Sequence, residues 1–238
     1  MAAVGDGDSG GSNAGTRVAV VAGAGELGSA TAALLARSGF TVVVVDRNQK
    51  ALEELADGIR VEVGDPTDQA VAKTVIDRIA AEVGPPEVLV NTVGGFLLGE
   101  AVNATPDDLH GMIDVNLGPA LWLTQAVEPY MRQRGAGAIV HVSARPGTDP
   151  TAGMAAYSLS KAALSHLVRI LDVELRPHGI RVNAVAPQLL DTARNREIFP
   201  KEALTNAVPP AVVANTIAYL VSDDAAPVSG AIVPAYGA

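Results

Sequence analysis

Arg17-Val-Ala-Val-Val-Ala-Gly23-Ala-Gly25-Glu-Leu-Gly28-Ser-Ala-Thr-Ala32 decides how the rest of the chain is read. A short apolar, β-branched run meets three glycines and passes at once into residues of helical composition. An apolar run without alternation fits a strand covered on both faces. Gly23 permits a tight turn, Gly25 removes a side chain where a pyrophosphate must approach the backbone, and Gly28 lets helix and strand pack closely. Glu26 and Leu27 complete the turn, and the helix that begins there offers unpaired N–H groups to an anion. A lone GxGxxG is weak evidence. Here it sits between strand and helix, with Asp46 ending the next apolar run about 20 residues on, and that context makes it a dinucleotide-binding turn.

Asp46 is placed to accept hydrogen bonds from the adenosine ribose hydroxyls. A 2′-phosphate at that position would meet a carboxylate, so NAD is favoured over NADP, although Arg47 follows at once and could soften the repulsion. Asp65, in the GDPTD stretch, is read either as an adenine contact or as an Asx turn or helix cap.

Outward from the turn, apolar runs alternate with helical patterns. The runs are 17–22, 41–46, 59–63, 87–91, 137–143, 180–186 and 229–235, and the helical stretches lie near 26–38, 48–57, 68–83, 106–133, 155–178 and 210–222. Thr105-Pro106 supplies an N-cap and a proline for the fourth helix, and Pro209-Pro210 opens the last. Seven strands joined by helices require right-handed crossovers. The fold class is α/β: a single doubly wound domain of the Rossmann type, its seven-stranded parallel sheet flanked by helices on both faces. It covers residues 16–238. Residues 1–15 are small, polar and glycine-rich and read as a disordered tail. Gln188 to Val208 shows no clear period and reads as a lid loop.

Composition narrows the functions. The chain has 238 residues, a formal charge of −9, no cysteine and four scattered histidines, so a metal centre is not expected. The acidic balance argues against nucleic acid or an anionic membrane as partner. No apolar run is long enough to span a bilayer, and with no other address the protein reads as cytoplasmic.

A second constellation lies in GTDPTAGMAAYSLSK, residues 147–161. Tyr157 and Lys161 are four apart, so a helix presents both on one face. By itself such a pair is common and marks a helix surface as readily as a catalytic site. With the glycine turn it is one of several motifs in order, and the chain resembles the short-chain dehydrogenase/reductase family over its whole length after the tail. Carrying the resemblance are the turn, Asp65, Asn91-Thr-Val-Gly94 in place of NNAG, Asn116, Tyr157-Ser-Leu-Ser-Lys161 for YxxxK, and Pro187 through Thr192 for PGxxxT. It implies that Tyr157 acts as general acid or base and that Lys161 lowers its pKa and holds the nicotinamide ribose. Asn116, within the long fourth helix, anchors a water chain to Lys161. Pro187 and Thr192 hold the carboxamide, and Asn91 and Gly94 belong to the cofactor site. The family's interface implies a homodimer or homotetramer through helices 106–133 and 155–178, which carry Leu121, Trp122, Ala163 and Leu167.

Three departures qualify the match. The glycine loop aligns only with one residue lost, which puts Glu26 where a glycine belongs; its carboxylate is expected to turn to solvent. Gln188 replaces the glycine after Pro187. Ala144 stands where the catalytic serine belongs, with Ser143 one residue early. Neighbouring strand residues face opposite ways, so Ser143 is either the polarising hydroxyl through a local irregularity or a strand-end residue. In the second case the carbonyl is held by Tyr157 alone or with Thr148. An alanine in the serine place, the shortened loop and Gly153-Met154 also give some resemblance to quinonoid dihydropteridine reductases. The leading expectation is an NAD(H)-dependent oxidoreductase acting on a small or medium carbonyl, alcohol or imine. The alternatives are 3-oxoacyl-carrier-protein reduction, dihydropteridine reduction, and a nucleotide-binding protein without turnover. For the first, Arg132, Arg134 and Arg169 would dock the carrier or simply be solvated charges. Phe96, Leu97, Leu98, Met154 and Phe199 are expected to make the substrate pocket apolar.

Overall fold

Residues 17–237 are described by a computed structural model; the expected tail, residues 1–15, lies outside them. The first half of the chain supplies β1 (Val18–Ala22), α1 (Glu26–Arg37), β2 (Thr41–Asp46), α2 (Gln49–Glu53), β3 (Arg60–Val63), α3 (Gln69–Glu82) and β4 (Pro86–Asn91). The second half supplies α4 (Pro106–Asn116), α5 (Gly118–Arg134), β5 (Gly137–Val142), α6 (Ala155–Leu175) and β6 (Ile180–Pro187). Then come α7 (Ala193–Ile198), α8 (Lys201–Leu204), α9 (Pro210–Val221) and β7 (Ile232–Ala235).

All strand pairs are parallel and the order is β3-β2-β1-β4-β5-β6-β7. The order reverses between β1 and β4, and a crevice opens beyond their C-terminal ends, where such sheets bind ligands. Every residue of β1 and β4 is buried, which is why neither alternates in sequence. Successive side chains feed two cores. Val20, Leu89, Ile139 and Val182 pack with α3, α5 and α6. Val21, Val44, Val90, Val140 and Val185 pack with α1 and α9. The edge strand β3 alternates charged Arg60 and Glu62 with exposed Val61 and Val63, and Arg78 pairs with Glu62 at 3.0 Å. Charge along an exposed edge discourages pairing with another chain.

The doubly wound architecture and its seven strands match the expectation, but the helices differ in detail. The expected helix 106–133 is two helices, α4 and α5, joined at Leu117. Pro119 has no N–H to donate, and its ring crowds the carbonyl four residues back. α4 starts as foreseen, with Thr105 and Asp108 forming a reciprocal capping box. The expected helix 155–178 ends at Leu175 and gives way to a 3-10 turn containing Pro177. The stretch 188–208, expected to be irregular, contains α7 and α8 and closes on itself through Val208 N–H to the Leu189 carbonyl (2.7 Å). Of the apolar residues assigned to a subunit interface, Trp122 and Leu167 pack partly on the chain's own core. Leu159, Ile170 and Val173 stand exposed on α6 instead. Among the described residues no helix is long and apolar enough to cross a membrane.

Candidate active site

The glycine turn is a steric necessity at two of its three positions. Gly23 has φ +101°, and a Cβ there would lie 2.4 Å from Thr92 Oγ1; a Cβ on Gly28 would lie 1.8 Å from the Gly23 carbonyl oxygen. A Cβ on Gly25 would meet nothing within 4 Å. α1 begins with no side-chain cap, so its first N–H groups are left to an external acceptor. Open space at Gly25 beside uncapped donors fits a pyrophosphate. Leu27 packs inward on the core.

Glu26 is exposed, but it is not left to solvent as expected. Its carboxylate accepts the Ala193 N–H at 2.7 Å. That N–H opens α7 and has no partner within its own helix, so an acceptor arriving from the glycine turn satisfies it.

Asp46 Oδ2 accepts from Ala24 N–H (2.7 Å), and Oδ1 accepts from Asn48 N–H (2.8 Å). The carboxylate ties β2 to the turn and keeps lone pairs for further donors. Arg47 pairs with Asp65 at 3.3 Å. Asp65 Oδ1 accepts from Thr67 N–H (3.0 Å) and Oγ1 (2.7 Å), an Asx turn leading into α3. The Asx turn is therefore present, while Asp68 rather than Asp65 caps α3; the second oxygen of Asp65 pairs with Arg47.

At the end of β4, Asn91 is buried and its Oδ1 accepts the Val93 N–H at 3.1 Å. Thr92, which the sequence reading passed over, donates to the Ala22 carbonyl at 2.9 Å and locks β4 to the turn. A Cβ on Gly94 would come within 2.8 Å of Asn116 Oδ1 and 3.2 Å of Lys161 Nζ, so this glycine is where three site segments meet. Asn116, expected inside one long helix, is the last residue of α4. It accepts from Gly95 N–H (3.0 Å) and donates to the Gly95 carbonyl (3.1 Å) and to Ser160 Oγ (3.0 Å). Its amide clamps the β4 loop to α6.

Tyr157 and Lys161 lie in the first two turns of α6, on one face as the spacing predicts. Lys161 is buried and donates to the Val142 carbonyl at 2.8 Å. Burial pushes its ammonium down to about 8. Burial pushes the Tyr157 phenol up to about 12. The sequence reading expected Lys161 to lower the tyrosine. In this geometry loss of solvent governs both groups, with the ammonium directed at a backbone carbonyl. The Tyr157 ring packs edge-on to Phe96 (4.9 Å), and Phe96 meets Phe199 of the 188–208 segment (5.4 Å).

Ser143 borders the cleft, but its hydroxyl is engaged within the fold. It is buried, 2.7 Å from Ser165 Oγ, and donates to the Lys161 carbonyl at 3.2 Å. The strand-end alternative holds, because residue 143 shares the face of His141 that packs on α5 and α6. Ala144 comes next and lines the cleft. Thr148 donates to the Arg145 carbonyl (2.9 Å) and lies 3.2 Å from the Tyr236 hydroxyl. Pro187 ends β6 and lines the cleft, while Thr192 caps α7 by accepting the Asn195 N–H at 3.2 Å.

The cleft has a volume of about 660 Å³. Tyr157, Lys161, Gly94, Phe96, Met154 and Phe199 are part of its lining. Leu97 and Leu98, expected there, are not. Two lining residues the sequence did not pair are Arg145 and Gln188, joined at 3.1 Å. Gln188 had been visible only as a departure from a glycine; its contact across 43 residues leaves no local sequence signal.

This arrangement, a glycine turn at the switch point of a doubly wound sheet with a Tyr/Lys pair beside it, is that of a nucleotide-dependent oxidoreductase. The model of the short chain dehydrogenase family matches residues 17–203. Galactitol 2-dehydrogenase of Rhizobium johnstonii is 34% identical, over 92% of this chain and 93% of its own length. The 3-oxoacyl-acyl-carrier-protein reductase FabG of Thermotoga maritima is 32% identical, over 91% and 95%. A crystal structure of a variant actinorhodin polyketide ketoreductase with NADPH superposes with a TM-score of 0.86 at 26% identity, covering 93% of this chain and 96% of that one. The chain belongs to the short-chain dehydrogenase family, whose members are oxidoreductases that use a nicotinamide nucleotide.

Proposed function

We propose that this protein is an NAD(H)-dependent oxidoreductase that interconverts a small or medium carbonyl, or an imine, with the corresponding alcohol or amine. The observation that carries the reading is the convergence of Tyr157 and Lys161 on one cleft with Gly94 and Pro187. The nicotinamide, when bound, supplies or takes the hydride. Gly23, Gly25, Glu26, Leu27 and Gly28 form the turn that would hold its pyrophosphate. Asp46 would hold the adenosine ribose, with Arg47 and Asp65 at the adenine end and Asn91, Gly94, Pro187 and Thr192 at the nicotinamide end. Lys161 would orient the second ribose, and Asn116 fixes the loop against which that ribose lies.

In reduction, Tyr157 gives its proton to the substrate oxygen. A phenol raised by burial stays protonated through the neutral range, which suits an acid. Ser143 is left a structural role, and the oxygen is held from the protein side by Tyr157.

A second reading, 3-oxoacyl-carrier-protein reduction, is favoured by the likeness to FabG. Asp46 opposes it, because that reading goes with NADPH and a 2′-phosphate would face a carboxylate. Fluorescence titration with NADH and NADPH, followed by a carbonyl panel under the better cofactor, separates the two. NADH binding tighter by about tenfold or more is expected, the scale of losing a hydrogen bond to a charged group. Tighter NADPH binding would overturn the NAD assignment, and no binding of either would remove the enzymatic reading.

A further inference from the structure

We infer that the substrate carries a carboxylate and that Arg145 is the side chain that binds it, an inference resting on the oxidoreductase reading above. Two of the family positions that differ here, Ala144 and Gln188, flank or touch this arginine. Arg145 is held from three sides: Nε donates to Asp149 (3.1 Å), Nη1 donates to Gln188 Oε1 (3.1 Å), and the guanidinium lies 5.0 Å over the Tyr236 ring. A guanidinium has five N–H donors, and these contacts engage two. The remaining three have no partner among the described residues, and the side chain is 43% exposed at the cleft's edge, open to a ligand.

Charge in the cleft reverses that of the molecule. The whole chain carries −9. The cleft is lined by Arg145, Lys161 and Arg194 against the single carboxylate of Asp149. Arg194, on α7, makes no ion pair among the described residues. Lys161 is turned to the Val142 carbonyl. Setting it aside, two guanidiniums face one carboxylate, a surplus of one positive charge that suits a monoanion. The other walls are largely apolar, with Phe96, Met154, Leu189 and Phe199 to cover a short carbon chain.

Ala24, Glu26 and Ser29 of the glycine turn line a separate depression with Pro209 and Pro210, and none of them lines the cleft that holds Arg145. With no hydroxyl at position 144, a substrate needs another point of attachment beside Tyr157, and Arg145 is the next residue along. In the reduction the carbonyl carbon gains a hydride and its oxygen gains the Tyr157 proton. The C=O becomes C–OH as the reduced nicotinamide nucleotide is oxidised, and the carboxylate is unchanged.

The test compares short oxo acids with their methyl esters, acetoacetate and 2-oxobutyrate each against its ester, using the full chain and its preferred cofactor. The acid is expected to exceed the ester in kcat/KM by about 10–100-fold, the scale of hydrogen bonds to a charged partner. In Arg145→Gln that ratio should fall toward one, with Arg145→Lys between. Equal wild-type turnover of acid and ester, or a ratio unchanged in Arg145→Gln, overturns this inference and leaves the oxidoreductase reading standing. Should the variant be recovered unfolded, the wild-type ratio alone decides. No turnover of any member with either cofactor overturns this inference too, and the oxidoreductase reading then stands or falls on cofactor binding and the carbonyl panel above.

Discussion

The turn after β1 and the rim after β5 lie at the same end of the sheet and are built on different principles. The turn is made of backbone: Gly23 and Gly28 are required because a Cβ would strike Thr92 or the Gly23 carbonyl. The rim is made of side chains: Arg145 meets Asp149 four residues on, and Gln188 and Tyr236 across long sequence separations. At Gly23 and Gly28 backbone sterics tolerate little change, although the turn departs from the family pattern at Glu26. The rim departs from it at Ala144 and Gln188, and the fold around both regions is intact. On the function proposed above, the general chemistry would reside in the turn and the Tyr157/Lys161 helix, and the choice of substrate in the rim.

The largest effect should come from the turn. Gly28→Ala puts a methyl carbon 1.8 Å from a backbone oxygen that belongs to the turn itself. Thermal unfolding should show a loss of about 3 kcal/mol or more, with cofactor binding lost as well, since overpacking against backbone cannot relax cheaply. Near-normal stability and NADH affinity would show that the turn is not under this constraint.

An intermediate effect concerns Lys161. Its folded pKa of about 8 lies below the ordinary 10.5, so its charge is present below pH 8 and lost as pH rises through that value. Reductive kcat/KM should fall above pH 8 by up to about tenfold per unit. Stability moves the other way. Between pH 8 and 10.5 the unfolded chain holds a proton that the folded chain does not, so folding strengthens as pH rises. A rate independent of pH up to about 10 would separate Lys161 from the chemistry.

The smallest effect belongs to Ser143. Replacing it with Ala removes the contact to Ser165 and should cost about 1 kcal/mol in unfolding experiments. Its kcat/KM should change less than about threefold; a hundredfold loss would return Ser143 to the reacting atoms.

The sequence carried most of the fold because burial on both faces of β1, β2 and β4 suppresses alternation, and glycine or proline marks the ends of the elements. It missed the break at Leu117, since the helical pattern runs on through Gly118 and Pro119 and only the missing N–H interrupts it. Tyr157, Lys161 and Asp46 were legible because local spacing places them. The partners of Asn116, Ser143 and Arg145 were not, being set by which loops the sheet order brings together. The burial that pushes the Tyr157 phenol up and the Lys161 ammonium down is likewise not revealed by spacing.

The central claim is that Tyr157 delivers the proton on a cofactor bound independently of it. Tyr157→Phe, assayed for NADH affinity and for reduction of the best carbonyl found, tests that claim most directly. Affinity within about threefold of wild type, with kcat reduced about 10²–10⁴-fold, is the expected result. Retained turnover in this variant would contradict it.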